Sequence, residues 1–120
     1  MLDLIKKTNR RYLHENLVNQ TFRWLHKNGF LCVKHMKFGN NYADIAAIDH
    51  ENRIWIFDIK TTKNDLYQDR KYENLVKCCD EFYFIYYIDS EVASFFDSKK
   101  RMKRDWQSNK LKAGRIVVTE

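Results

Sequence analysis

Residues 43–60 read ADIAAIDHENRIWIFDIK, and their pattern sets the fold. Two apolar runs flank His50, Glu51 and Asn52, a polar triple of the length that joins two antiparallel strands. Side chains alternate faces along a strand, so Asp58 and Lys60 share a face and Ile59 points away. With those three residues as the loop, Asp49 pairs with Arg53, Ile48 with Ile54, Ala46 with Ile56, and Asp44 with Asp58. Directly opposed Cβ atoms lie about 4.5–5.5 Å apart, and like charges there repel. A hard cation bound through carboxylate oxygens relieves the repulsion, and magnesium needs only one or two carboxylates beside water and phosphate. The plainer reading is two solvated acids at strand ends, with Lys60 as a surface charge. A loop of two or four residues would undo the pairing.

Outward from the hairpin, the chain alternates helical and extended patterns. Residues 9–28 read as a helix, with Leu17, Val18, Thr21, Trp24 and Leu25 on the packed face and Gly29 as its stop. Residues 30–37 read as the first strand, and Phe38 to Tyr42 as the turn into the Asp44 strand. After Lys60 a second helix is expected over about 63–79, with Leu75, Val76 and Cys79 inward. Thr62 and Asp65 have capping-box spacing, the ordinary explanation for Asp65. Gln68 falls on the packed side of that helix, with Tyr72 one turn on. Asp69 stands four residues from Asp65, a repulsive pair that Lys63, Arg70 and Lys71 can offset unless they contact phosphate themselves. Phe82 to Ile88 is a near-continuous apolar run, as suits a strand covered on both faces. Residues 91–107 read as a basic amphipathic helix, with Val92, Phe95, Phe96, Met102 and Trp106 as its stripe. Lys99, Lys100, Arg101, Lys103 and Arg104 crowd the same segment, and a solvated helix face is the rival to a nucleic-acid contact. Arg115 to Thr119 is expected as a last strand at an edge of the sheet.

Composition narrows the class. The chain has 120 residues, no proline, three glycines and a net charge of +6. That predicts one domain over 1–120, long uninterrupted elements and a polyanionic partner, most simply nucleic acid. No apolar run is long enough to span a membrane, and the charged start lacks a signal-peptide core, so the cytoplasm is the expected compartment. Cys32, Cys78 and Cys79 form no metal-binding ladder with His14, His26, His35 and His50. Buried thiols and ordinary histidines are the expectation for all seven.

Asp44 followed by Asp58-Ile59-Lys60 on the next strand resembles the PD-(D/E)XK signature of restriction-endonuclease-like nucleases. Ala43 stands where that signature has proline, and Asp58 where it commonly has glutamate. The stretch IFDIKTTKNDLYQDRKY (56–72), then CDEFYF (79–84), is similar to the MmcB-type DNA-repair proteins. The resemblance implies an α/β, restriction-endonuclease-like domain, a mixed central β-sheet flanked by helices. It implies a metal-dependent deoxyribonuclease acting in repair, recombination or phage DNA metabolism. Asp44 and Asp58 would bind Mg²⁺ or Mn²⁺ with the Ile59 carbonyl, and Lys60 would serve the attacking water or the phosphate. Glu15 would be the acid that such nucleases often draw from the first helix. Gln68 and Tyr72 have the spacing seen after the lysine in RecB-type relatives. The rivals are a weakly catalytic or non-catalytic DNA-binding repair accessory, a Holliday-junction-resolving homodimer, and a module whose basic helix binds an acidic protein.

Overall fold

The hairpin folds in the register that its sequence dictates. In the computed structural model, which describes residues 2–61, 71–87 and 113–118, β2 (Asn41–Ile48) pairs antiparallel with β3 (Ile54–Ile59), with Ala46 opposite Ile56 and Ile48 opposite Ile54. The Asp49 N–H donates to the Arg53 carbonyl at 3.1 Å, and Asn52, at φ 62°, donates back to Asp49. β1 (Leu31–Phe38) pairs antiparallel with β2. β4 (Glu81–Tyr87) and β5 (Ala113–Val118) continue the sheet in parallel, giving the order β1-β2-β3-β4-β5. The mixed sheet carries helix α1 (Leu2–Lys27) on one face and helix α2 (Lys71–Val76) on the other. This is the α/β arrangement expected, a mixed central sheet flanked by helices.

Two apolar layers follow from strand alternation. Ile56, Phe82 and Phe84 pack with Tyr72 and Leu75 of α2. Phe57, Ile59, Ile85 and Tyr87 pack with Leu17 and Leu25 of α1. Burying each large aliphatic or aromatic side chain contributes about 1.5–3 kcal/mol, so these layers are the main force holding helices to sheet. After Glu81, β4 is aromatic and aliphatic because both its faces are covered, and β5 lies at the sheet edge as its position in sequence suggested.

The boundaries move in several places. α1 begins at Leu2 rather than residue 9. It ends as expected: the Phe30 N–H reaches the Leu25 carbonyl and the Gly29 N–H the His26 carbonyl, with Gly29 at φ 85°. Trp24, expected on the packed face, is 52% exposed, because the buried stripe is the narrower Leu17–Thr21–Leu25 line. The turn expected over Phe38 to Tyr42 is only Gly39-Asn40, and the last strand starts at Ala113 instead of Arg115. The second helix stops at Val76 rather than Cys79. The chain is pulled into β4 there, since the Asp80 N–H and carboxylate both bind Ile54, at 2.8 and 2.7 Å.

Lys63, Asp65, Gln68, Asp69 and Arg70, and the basic segment with Lys99, Lys100, Arg101, Lys103 and Arg104, lie outside the described residues. Lys71 begins α2, where only its backbone is described.

Candidate active site

Asp58 follows Ile56 on the α2 face of β3 and is fully buried, at 0% exposure. A charge taken out of water is costly unless it is paired. Lys60 supplies the pairing: its Nζ lies 3.1 Å from Asp58 Oδ2, and the lysine is itself only 5% exposed. The Lys60 N–H donates to the Ile85 carbonyl at 3.0 Å, so the parallel β4 fixes this residue just beyond the end of β3.

Asp44 reaches the same place by a distortion of β2. Residues two apart on a regular strand share a face. Here Ala43 packs in the α2-side layer and Ile45 in the α1-side layer. The β1–β2 pairing skips the position opposite Asp44, where His35 has a φ of 60°. The turned Asp44 accepts the Ile59 N–H at its Oδ2, at 2.8 Å, and its carboxylate contacts that of Asp58. His14 of α1 stands on the other side, its Nε2 3.6 Å from the same Oδ2. Burial alone would raise the Asp44 pKa. The contacts with His14, with Asp58 and with the Ile59 amide outweigh it and hold this carboxyl well below the ordinary carboxylate range.

The structure thus brings together Asp44, Asp58, Lys60 and the backbone of Ile59. Tyr72 lies in the α2-side layer at the site, packed edge-on to Phe84 with ring centres 5.8 Å apart. Glu15 is exposed on α1. The α1 side chain that reaches Asp44 is its neighbour His14, a residue expected to be ordinary. The signal was present: His14 lies three, seven and eleven residues before Leu17, Thr21 and Leu25, on the stripe that is buried.

The donor set suits a hard divalent cation. Two carboxylates in contact leave excess negative charge that one lysine only partly offsets. Among the described residues no group of three or more His, Cys, Asp or Glu side chains is placed to hold a metal ion. A cation here would take the two aspartates and complete its shell with water, carbonyl and phosphate oxygens, as magnesium does. Among the same residues, no helix is long and apolar enough to cross a membrane.

Comparison with known proteins places these residues in a family. No curated protein sequence matches the chain. Among solved structures the chain is similar to the SPO1766 protein of unknown function from Silicibacter pomeroyi, with a TM-score of 0.62 and 18% identity over 68% of this chain and 56% of that one. It is also similar to a repair endonuclease from Pyrococcus abyssi, with a TM-score of 0.49 and 12% identity over 91% of this chain and 46% of that one. The chain spans about half the length of these structures, and at such identities the likeness concerns the fold alone. The family model for MmcB-like DNA repair proteins matches residues 7–96, a span that holds His14, Asp44, Asp58 and Lys60, and the chain belongs to the MmcB-like DNA repair protein family.

Proposed function

We propose that the protein is a metal-dependent nuclease that hydrolyses DNA phosphodiester bonds during repair. The observation that carries this reading is the meeting of two carboxylates and a lysine at the end of β2 and β3, with Lys60 Nζ 3.1 Å from Asp58. Asp44 and Asp58 would hold Mg²⁺ or Mn²⁺, with the Ile59 carbonyl as a further ligand. Once bound, such a cation polarises the phosphate and acidifies a coordinated water. Lys60 pairs with Asp58 at 3.1 Å and presents N–H donors to the attacking water or to charge growing on the phosphate. His14 orients Asp44 from the α1 side. Substrate enters from that side, because the His14 and Asp44 side chains keep 36% and 12% of their exposure. Glu15, exposed beside His14, holds water at the entrance. Gln68, Asp65 and Tyr72 support the site. Lys63, Arg70, Lys71 and the basic segment over 99–104 bind the DNA backbone.

The test is a cleavage panel of linear duplex, single strand, flap and four-way junction, with Mg²⁺, Mn²⁺ or chelator. Cleavage should need metal and should vanish in Asp58→Ala and Lys60→Ala. Mn²⁺ titration should show binding to the wild type that is lost in an Asp44→Asn/Asp58→Asn protein. A wild type that cuts nothing, or an Asp58→Ala protein that cuts equally well, ends the enzyme reading. Junction-selective cleavage by a dimer would identify a resolvase.

One observation favours a second reading. Asp58 and Lys60 are both nearly removed from water and satisfy each other, as a purely structural pair would. A DNA-binding repair accessory of this kind would bind the panel without cutting any member.

A further inference from the structure

The left-handed backbone at His35 does more than turn Asp44. It lies in an exposed strand at the sheet edge, and β-strand residues other than glycine rarely adopt a φ of 60°. Tyr42 has Lys37 as its cross-strand partner, yet the imidazole of His35 stacks on its ring, with centres 5.1 Å apart and planes 23° apart. Tyr42 remains 45% exposed, and Lys37 Nζ sits 5.9 Å from the centre of its ring. The result is a pair of nearly parallel rings with a cation over the Tyr42 ring, next to the strand position of Asp44.

The surroundings carry the matching charge. Residues 11–42 contain five Lys or Arg side chains, Arg11, Arg23, Lys27, Lys34 and Lys37, against the single acid Glu15. All five cations are exposed. Lys34 is held in place by Asn19 Oδ1 at 2.6 Å and lies over the Phe22 ring, which fixes one of these charges between α1 and β1. Flat rings bordered by cations bind unpaired nucleotides, because every base has a π-face and every linkage an anion. In duplex DNA those faces are already stacked on one another and closed to such a pair.

We propose that the His35–Tyr42 ring pair, with Lys34 and Lys37, is a stacking platform for an unpaired base, so that single-stranded nucleic acid is the form delivered to Asp44 and Asp58. The proposal deepens the nuclease reading and rests on it for the fate of the bound strand, but binding itself does not require cleavage. A base on Tyr42 is anchored beside the acids, and the backbone phosphates flanking it meet the two lysines.

The experiment is fluorescence anisotropy with labelled oligothymidine and with a duplex of equal length, in chelator, so that no bond is cut. Wild type should prefer the single strand. Tyr42→Ala should weaken single-strand binding about tenfold or more, the usual consequence of losing one base–aromatic stack, and leave duplex binding nearly unchanged. Tyr42→Phe should bind as wild type. His35→Gly keeps the left-handed backbone and removes the ring, and it too should weaken single-strand binding. Lys37→Gln should flatten the salt slope for single strands by about 0.7, one phosphate contact. Circular dichroism and melting confirm that each variant is folded. A folded Tyr42→Ala protein that binds oligothymidine as tightly as wild type overturns the platform, as does equal or stronger binding of the duplex. The two readings fail separately: metal-dependent cleavage with Tyr42→Ala binding intact removes the platform alone, and Tyr42-dependent binding without cleavage removes the nuclease alone.

Discussion

The β2–β3 hairpin has acids at both ends and handles them in opposite ways. At the loop end Asp49 accepts the amides of Glu51 and Arg53 and the Trp55 indole N–H, at 2.9, 3.0 and 2.8 Å. Nearby, Asp80 takes the Ile54 amide and Glu81 takes Arg53 at 2.8 Å. Each of these three carboxylates is met by donors. At the other end Asp44 and Asp58 meet each other, with Lys60 as the near cation. The same residue type makes a turn in one place and the proposed metal site in the other. The difference lies in the partners: N–H groups use up a carboxylate's acceptor capacity, whereas a second carboxylate adds to the charge that a cation must answer.

The largest effect should come from breaking the buried pair. Lys60→Met leaves the Asp58 carboxylate in the interior without its cation, and removing one partner of such a pair costs about 3–5 kcal/mol. Urea denaturation at pH 7 measures it. An Asp58→Leu/Lys60→Met protein should recover most of that loss. If the double variant is as unstable as the single, the two residues are not coupled as described.

A smaller loss is expected from Gly29→Ala, which strikes the loop end. Gly29 has a φ of 85°, and an added Cβ would lie 2.7 Å from Cε1 of His50 in the hairpin loop. The left-handed backbone alone costs an L-residue about 1–2 kcal/mol. The melting temperature should fall, and nucleic-acid binding by the still-folded protein should not change. Loss of binding at a temperature where the variant is folded would mean that the two ends are not independent.

Acid should expose the contrast more gently. The Asp49 carboxyl is held below its ordinary value of 3.8, chiefly by the Arg53 amide, against a smaller opposing effect of burial and with help from Trp55 and Glu51. A carboxyl with a depressed folded-state pKa stabilises the fold above its unfolded-state pKa and loses that contribution as pH falls through the folded value. The stability gap between wild type and Asp49→Asn should therefore be full at pH 6 and close progressively below about pH 4. A gap that stays constant down to pH 2 would show that the donors, not the charge, matter.

The smallest effect concerns two adjacent thiols beside the loop end. Burial first, then the neighbouring Cys78, Asp80 and Glu81, push the Cys79 thiol up to about 11, whereas Cys78 is exposed. Iodoacetamide at pH 8 should label Cys78 well before Cys79, as peptide mass analysis would reveal. Equal labelling would show that the loop end opens as readily as its surface.

Much of this was legible in the sequence, for identifiable reasons. The hairpin register follows from a period of two interrupted by three polar residues, so the meeting of the Asp44 and Asp58 strands could be counted out. The stop at Gly29 and the covered β4 follow from equally local signals. His14 was not distinguished from an ordinary stripe residue, because a histidine on an apolar line does not announce what it faces across the sheet. The switch of faces between Ala43 and Ile45 was invisible for a stronger reason. It depends on His35 adopting a conformation that its residue type does not favour, and only the tertiary setting selects it. Trp24 was misplaced because helical spacing gives the direction of a stripe and not its width.

The division of the sheet into antiparallel and parallel halves also has a consequence in time. β1, β2 and β3 pair with neighbours in sequence through short turns, whereas β3–β4 and β4–β5 are parallel and wait for long crossovers. Hairpins close in about 1–10 μs, and parallel pairing is intrinsically slower. Asp44 and Asp58 are therefore drawn together early, before β4 arrives to fix Lys60 through the Ile85 carbonyl. During that interval Lys60 is not yet anchored beside Asp58. The two acids proposed to hold the cation are thus a kinetic burden on the nascent hairpin, and neutralising Asp44 should make the protein refold faster.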